Sequence, residues 1–94
     1  MPTYILLSSV TGEGAETIKR NPERIKEVNQ ELESLGVKVL QQYAVLGPYD
    51  FVNIVDGPDT DTMLRVSVEM GSRGSVKILT LPAVPIDDFI AGLH

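Results

Sequence analysis

VKVLQQYAVLGPYDFVNIV, the stretch from Val37 to Val55, decides the fold. Apolar and polar residues alternate imperfectly from Val37 to Leu46, Gly47-Pro48-Tyr49 makes a tight reversal, and Asp50 to Val55 is again rich in strand formers. Two strands joined by so short a turn form an antiparallel hairpin, since a parallel pair needs a long crossover.

Each side of the hairpin carries a helix and then a strand. Upstream, Ile25, Val28, Leu32 and Leu35 fall at spacings of three, four and three, which gives one apolar stripe on a helix. Asn21-Pro22 supplies a cap and a first helical residue, and Gly36 suits the left-handed turn that ends the helix. A short helical piece, Ala15 to Arg20, precedes it, entered through Thr11-Gly12-Glu13-Gly14, whose threonine can cap. Before that, Tyr4 to Val10 is a strand. Downstream, Asp56-Gly57-Pro58 closes the hairpin, and Asp59 or Thr60 caps a second helix through about Met70. Gly71 to Gly74 stops it, and Val76 to Leu81 is the fourth strand. Pro82 and Pro85 break the chain ahead of a tail in which Ile86, Phe89, Ile90 and Leu93 recur at helical spacing.

The order is βαββαβ: an α+β, ferredoxin-like fold with a four-stranded antiparallel sheet and both helices on one face. With 94 residues the chain is one domain, 1–94. Strands one and three run apolar residues together, Ile5-Leu6-Leu7 and Phe51-Val52 with Ile54-Val55, instead of alternating them with polar ones. Both sheet faces therefore read as buried, and helices cover only one. A second copy of the chain on the open face is the simplest cover, because bare apolar surface costs about 25 cal/mol per Å² relative to burial. The expected partner is thus the chain itself, as a homodimer or larger homo-oligomer.

Thirteen acids against eight bases give a net charge of −5, and no basic run exceeds Lys19-Arg20. Nucleic acid is not an expected partner, since phosphate binding needs a cationic footprint. The chain has no cysteine, which removes disulfides, thiolate metal sites and thiol nucleophiles. No apolar run reaches the ~18–20 residues that cross a bilayer, and Met1-Pro2-Thr3-Tyr4 lacks the basic start of a signal peptide. The expected setting is cytoplasmic, away from membranes.

Gly47-Pro48-Tyr49-Asp50-Phe51-Val52 resembles the turn of the GYD domain family, small prokaryotic proteins named for a glycine, tyrosine and aspartate there. The resemblance extends over Tyr4-Ile5-Leu6, Asn21-Pro22-Glu23-Arg24, Asp56 to Asp59, Gly71-Ser72, Gly74-Ser75-Val76 and Thr80-Leu81. It implies a dimeric α/β barrel, and no established activity comes with it. The same turn is similar to one in the effector-binding domain of the leucine-responsive regulators. There the matching residues are Gly47, Tyr49 and Asp50, with Gly74 and Val76 offset by Ser75. Strand one begins at Tyr4, so a regulator role implies a separate DNA-binding partner.

The residues available for binding a small polar or aromatic metabolite are Tyr43, Gly47, Tyr49, Asp50 and Asn53, near the open sheet face. Asp50 can serve as acid, base or acceptor and Tyr49 as donor, but an aspartate beside a Gly-Pro turn commonly satisfies backbone N–H groups instead. Tyr43, Gln41 and Asn53 are polar residues within strands and need partners if buried, from a pocket or across a subunit interface. Gly12-Glu13-Gly14 lacks the third glycine of a dinucleotide fingerprint and the lysine of a P-loop, so helix entry accounts for it. Asp56, Asp59 and Asp61 do not match a calcium loop and read as turn and cap chemistry. Glu27 and Glu31, with Arg24 and Lys26 nearby, read as a solvated helix face.

His94 is the lone histidine, which rules out histidine triads and multi-histidine metal sites within one subunit. No metal or cofactor is expected, and no residue stands out as catalytic. Three functional readings follow: a non-catalytic oligomeric module that binds a metabolite near Tyr49-Asp50, a cofactor-free barrel enzyme of isomerase or monooxygenase type using Tyr43, Asp50 or Asn53 in a pocket across the open sheet face, and a purely structural oligomer.

Overall fold

The structure is a computed structural model and describes residues 2–94. Its strands are β1 (Thr3–Val10), β2 (Lys38–Ala44), β3 (Phe51–Asp56) and β4 (Val76–Ala83). Its helices are α1 (Gly12–Arg20), α2 (Arg24–Ser34), α3 (Thr60–Gly71) and α4 (Ile86–Gly92). The four strands form one antiparallel sheet in the order β2-β3-β1-β4, as βαββαβ connectivity requires.

Sequence chemistry accounts for three of the helix ends. Thr11 caps α1, its Oγ1 accepting from the Gly14 N–H at 3.1 Å. Asp59 caps α3 by accepting from the Thr62 N–H at 2.8 Å, and these bonds to Thr62 hold its carboxyl below the usual range. Gly36, at φ +92°, lets the chain leave α2 in the left-handed region that side chains avoid.

Asn21, expected to cap α2, instead ends α1: its N–H donates to the Thr17 carbonyl, and Pro22-Glu23 make a turn before α2 begins at Arg24. Leu35, expected in the buried stripe, is the C-cap residue and is 44% exposed, because the helix has ended before its side chain can face the sheet. Pro82 does not break β4 but lies within it, opposite Tyr4. That is tolerated because β4 is an edge strand, with no neighbour on its outer side to miss the absent N–H.

One side of the sheet carries the core. Tyr4, Leu6 and Val55 from the strands pack with Leu32, Val37, Met63, Val66 and Met70, all buried. Residues of β1 and β3 that alternate with these, Ile5, Leu7, Val52 and Ile54, face the other way. Among the described residues no element covers that second face, and Leu79 and Leu81 of β4 extend the apolar surface on it.

Candidate functional site

The Gly47 to Asp50 turn is a structural corner. Its connection is longer than a tight reversal, running from Val45 to Asp50 between β2 and β3. Gly47, at φ +122°, allows the reversal, and the loop is then tied to the end of β1. The Asp50 N–H donates to the Ser8 carbonyl at 2.8 Å, and the Val45 N–H donates to the Asp50 carbonyl at 2.9 Å. The Asp50 carboxylate accepts from the Val10 N–H at 2.9 Å. Ser9 Oγ donates to the Pro48 carbonyl at 3.2 Å, and Tyr49 is half-buried between these anchors in the chain. The aspartate thus satisfies the backbone at the end of β1.

Tyr43 and Asn53 lie on opposite faces of the sheet. The β2–β3 ladder runs Lys38↔Asp56 and Val39↔Val55, then Gln41↔Ile54, leaving Leu40 as a bulge residue. One extra residue moves every later side chain of β2 to the other face. Gln42 therefore joins Asn53 on the helix side, whereas Tyr43, opposite Val52, is exposed on the open face with Gln41. Tyr43 and Asn53 therefore do not share one face: Asn53 is buried on the helix side, and Asp50 is engaged with Val10.

What Asn53 does border is a cleft of about 340 Å³ between α1, α2 and the sheet, open to solvent. Side-chain amides line its floor. Gln42 and Asn29 exchange hydrogen bonds at 2.8 and 3.2 Å, and Gln42 Nε2 also donates to Asn53 Oδ1 at 2.8 Å. Asn53 Nδ2 in turn faces Ser8 Oγ at 3.3 Å and the Leu6 carbonyl at 3.4 Å. Ile18, Ile25, Val28, Phe51 and Val76 make apolar walls, and Glu13, Arg24 and Arg73 stand at the rim. This is the usual chemistry of a small-molecule site, an apolar body with a few converging polar groups. Every buried side-chain polar atom among the described residues has a partner within the protein.

Arg24 and Arg73 are themselves held. Glu31 of α2 bridges both, Arg24 at 3.0 Å and Arg73 by a short contact, while Arg73 also meets Glu69 at 3.3 Å. The hydrogen bond from Arg73 holds the Glu31 carboxyl below its ordinary range, and Glu31 raises the Arg73 guanidinium in return. The expected solvated acidic face of α2 is thus partly an ion-pair clamp joining α2 to the end of α3. Sequence reading missed Arg73, which is 42 positions from Glu31 inside a glycine-rich helix stop. Nothing local marks such a pairing.

Gly14 is a packing residue: a Cβ there would lie 2.2 Å from the Ser75 carbonyl oxygen. No cluster of His, Asp and Glu able to hold a metal occurs among the described residues, and none of their helices is long and apolar enough to cross a membrane.

The GYD domain model matches residues 4–93, nearly end to end. The chain belongs to the GYD domain family. A relative from Thermus thermophilus is 61% identical over 94 residues, covering 99% of both chains, and bears the name glutamine synthetase and cystathionine beta-lyase binding protein. The fold is similar to a crystal structure of a Thermus thermophilus protein, with a TM-score of 0.57, 24% identity, and 90% of this chain and 95% of that one covered. That likeness concerns the fold alone. For this GYD domain, the most informative comparison is therefore with the end-to-end relative, whose name describes binding to proteins.

Proposed function

We propose that this GYD domain is a non-catalytic binding protein for metabolic enzymes, glutamine synthetase and cystathionine β-lyase among them, and that it works as a homodimer paired through its open sheet face. The observation that carries the enzyme-binding part is 61% identity along the full length to the relative so named. Ile5, Leu7, Val52, Ile54, Leu79 and Leu81 support the pairing, as a contiguous apolar face that none of the described elements covers. A cytoplasmic setting belongs to the same proposal and is supported by the cysteine-free composition.

The test uses the purified chain with glutamine synthetase and cystathionine β-lyase from Thermus thermophilus, by isothermal titration and co-elution. Saturable binding to either enzyme is expected. Failure to bind both would remove the enzyme-binding reading, and a monomer in sedimentation at micromolar concentration would remove the pairing.

The cleft favours a second reading, in which a small polar or aromatic metabolite binds between α1, α2 and the sheet, with Asn53, Gln42 and Asn29 at its polar end. Tyr43, Gly47, Tyr49 and Asp50 then act only indirectly, through the sheet and its corner. A thermal-shift screen of metabolites checks this, because a ligand at about 100 times its Kd adds roughly 2.7 kcal/mol of stability. Asn53→Leu should abolish any shift found, whereas Tyr43→Phe should preserve it.

A further inference from the structure

Beyond β4 the chain leaves its own body. Val84, Ile86, Phe89, Ile90 and Leu93 are all exposed, and α4 buries no residue and packs substantially on no other element. The apolar residues fall at helical spacing, so they form one stripe. A seven-residue helix has no stability of its own in water, where ~12–15 residues are marginal, so this one needs a surface for its stripe.

In the homodimer its own open sheet face is taken by the second copy, and the other uncovered apolar pair of the same chain is out of reach. The arm leaves from Ala83, which pairs with Thr3, at the end of the sheet that also holds Asp56 and Lys38. Another uncovered apolar pair, Val45 and the fully exposed Leu46, follows β2, the opposite edge strand. Val45 and Leu46 lie beyond the other end of the ladder. Three strand spacings of about 4.8 Å and six residues of about 3.3 Å separate the corners by roughly 25 Å, while the helix spans only about 10 Å. A two-fold related copy can bring such diagonal corners together twice, once for each arm.

Area points the same way. Four strands about 4.8 Å apart, paired over some 20 Å, give each open face on the order of 400 Å² in plan, or about 800 Å² for two, short of the ~1,200 Å² at which stable specific interfaces begin. Two arms laid on two flanks add several hundred Å² and bring the total into that range.

We infer that the arm from Val84 to His94 crosses to a second copy of this chain and packs its Ile86-Phe89-Ile90-Leu93 stripe against the corner formed there by Val45 and Leu46. The inference rests on the homodimer reading above. It gives the self-association a second, reciprocal contact outside the sheet face.

The experiment compares the full chain, a chain ending at Ala83, and Phe89→Asp by sedimentation over a concentration series, with denaturant unfolding to verify the fold. Both variants should weaken dimerisation by roughly tenfold or more, equivalent to about 1.4 kcal/mol per factor of ten. Phe89 is exposed, so its replacement leaves the protomer core intact if truncation does not. Unchanged dimerisation in Phe89→Asp overturns the arm while leaving the sheet-face dimer standing, whereas a monomeric full chain overturns both. Tighter association after truncation means that the arm shields its own sheet and likewise overturns the inference. The absence of cysteine allows a direct check: the Leu46→Cys, Ile90→Cys double variant should oxidise to a covalent dimer, and a product that stays monomeric contradicts the exchange.

Discussion

Gly14→Ala separates two expectations of opposite sign. By propensity alone, alanine in a helix is better than glycine by roughly 1 kcal/mol, so the variant should be more stable. The packing says otherwise. A Cβ on Gly14 would sit 2.2 Å from the Ser75 carbonyl oxygen, 3.1 Å from its carbonyl carbon and 3.3 Å from its Cβ. Those are mostly backbone atoms of the segment entering β4, and they cannot swing away as a flexible side chain does. Restoring normal separation requires α1 to retreat on the order of 1 Å. That retreat pulls on two bonds across the same junction, Thr11 N–H to the Ser75 carbonyl and Thr11 Oγ1 to the Gly74 carbonyl, both 3.0 Å. At roughly 1 kcal/mol each, their loss outweighs the propensity gain, and overpacking adds another ~1–3 kcal/mol. The expected net is destabilisation by about 2–4 kcal/mol, a fall in Tm of roughly 8–32 °C for a domain of this size. Gly12→Ala is the control, since nothing lies within 4 Å of a Cβ there, and it should change stability little. Urea unfolding of both variants measures this. A Gly14→Ala protein more stable than wild type would refute the close approach of α1 to β4.

Three further outcomes are expected. Asp50→Asn should lose roughly 1–3 kcal/mol, the range for impairing a part-buried hydrogen bond to a charged group, because its carboxylate is half-buried and accepts from Val10; unchanged unfolding would mean the corner is held without it. Leu32→Ala should cost ~2–5 kcal/mol and Leu35→Ala well under half of that, since only Leu32 is buried, and comparable losses in denaturant would contradict the placement of Leu35 at the helix cap. The Glu31 carboxyl is held below its unfolded value of 4.5, so its ion pairs stabilise the fold above that pH and are lost as pH falls through the folded value. Glu31→Gln should flatten the stability profile below about pH 4.5, with an amplitude reduced by salt because the pair is partly exposed; an acid limb identical to wild type would exclude Glu31 as a contributor.

Local chemistry made the architecture legible in the sequence. A turn with Gly47 and Pro48 marks the hairpin, the Val28 and Leu32 spacing marks α2, and Asp59 and Gly36 mark the helix ends where the structure has them. What escaped depends on pairing across the fold. The bulge at Leu40 has no signature in the residues around it, yet it turns Tyr43 to the open face and Gln42 to the helix side and so separates Tyr43 from Asn53. Pro82 reads as a strand breaker until β4 is known to be an edge. The cleft floor joins α2, β2, β3 and β1 through Asn29, Gln42, Asn53 and Ser8, residues ordinary by type and brought together only by register.

Two of these irregularities fall on the free edges of the sheet, and together they bear on solubility. A bare strand edge is a template for pairing with another chain, and a sheet with an uncovered apolar face invites open-ended stacking into fibres. Here β2 is interrupted by the Leu40 bulge and β4 by Pro82, which has no N–H to donate, so neither edge offers an unbroken row of hydrogen-bonding groups to a newcomer. Ladder growth is blocked at both sides, leaving the face as the surface on which apolar attraction can act. Face-on contact between two copies is satisfied after one encounter, whereas edge addition regenerates its own template with every step. Replacing Pro82 with valine would restore a regular edge on β4 and remove that protection while leaving the open apolar face untouched.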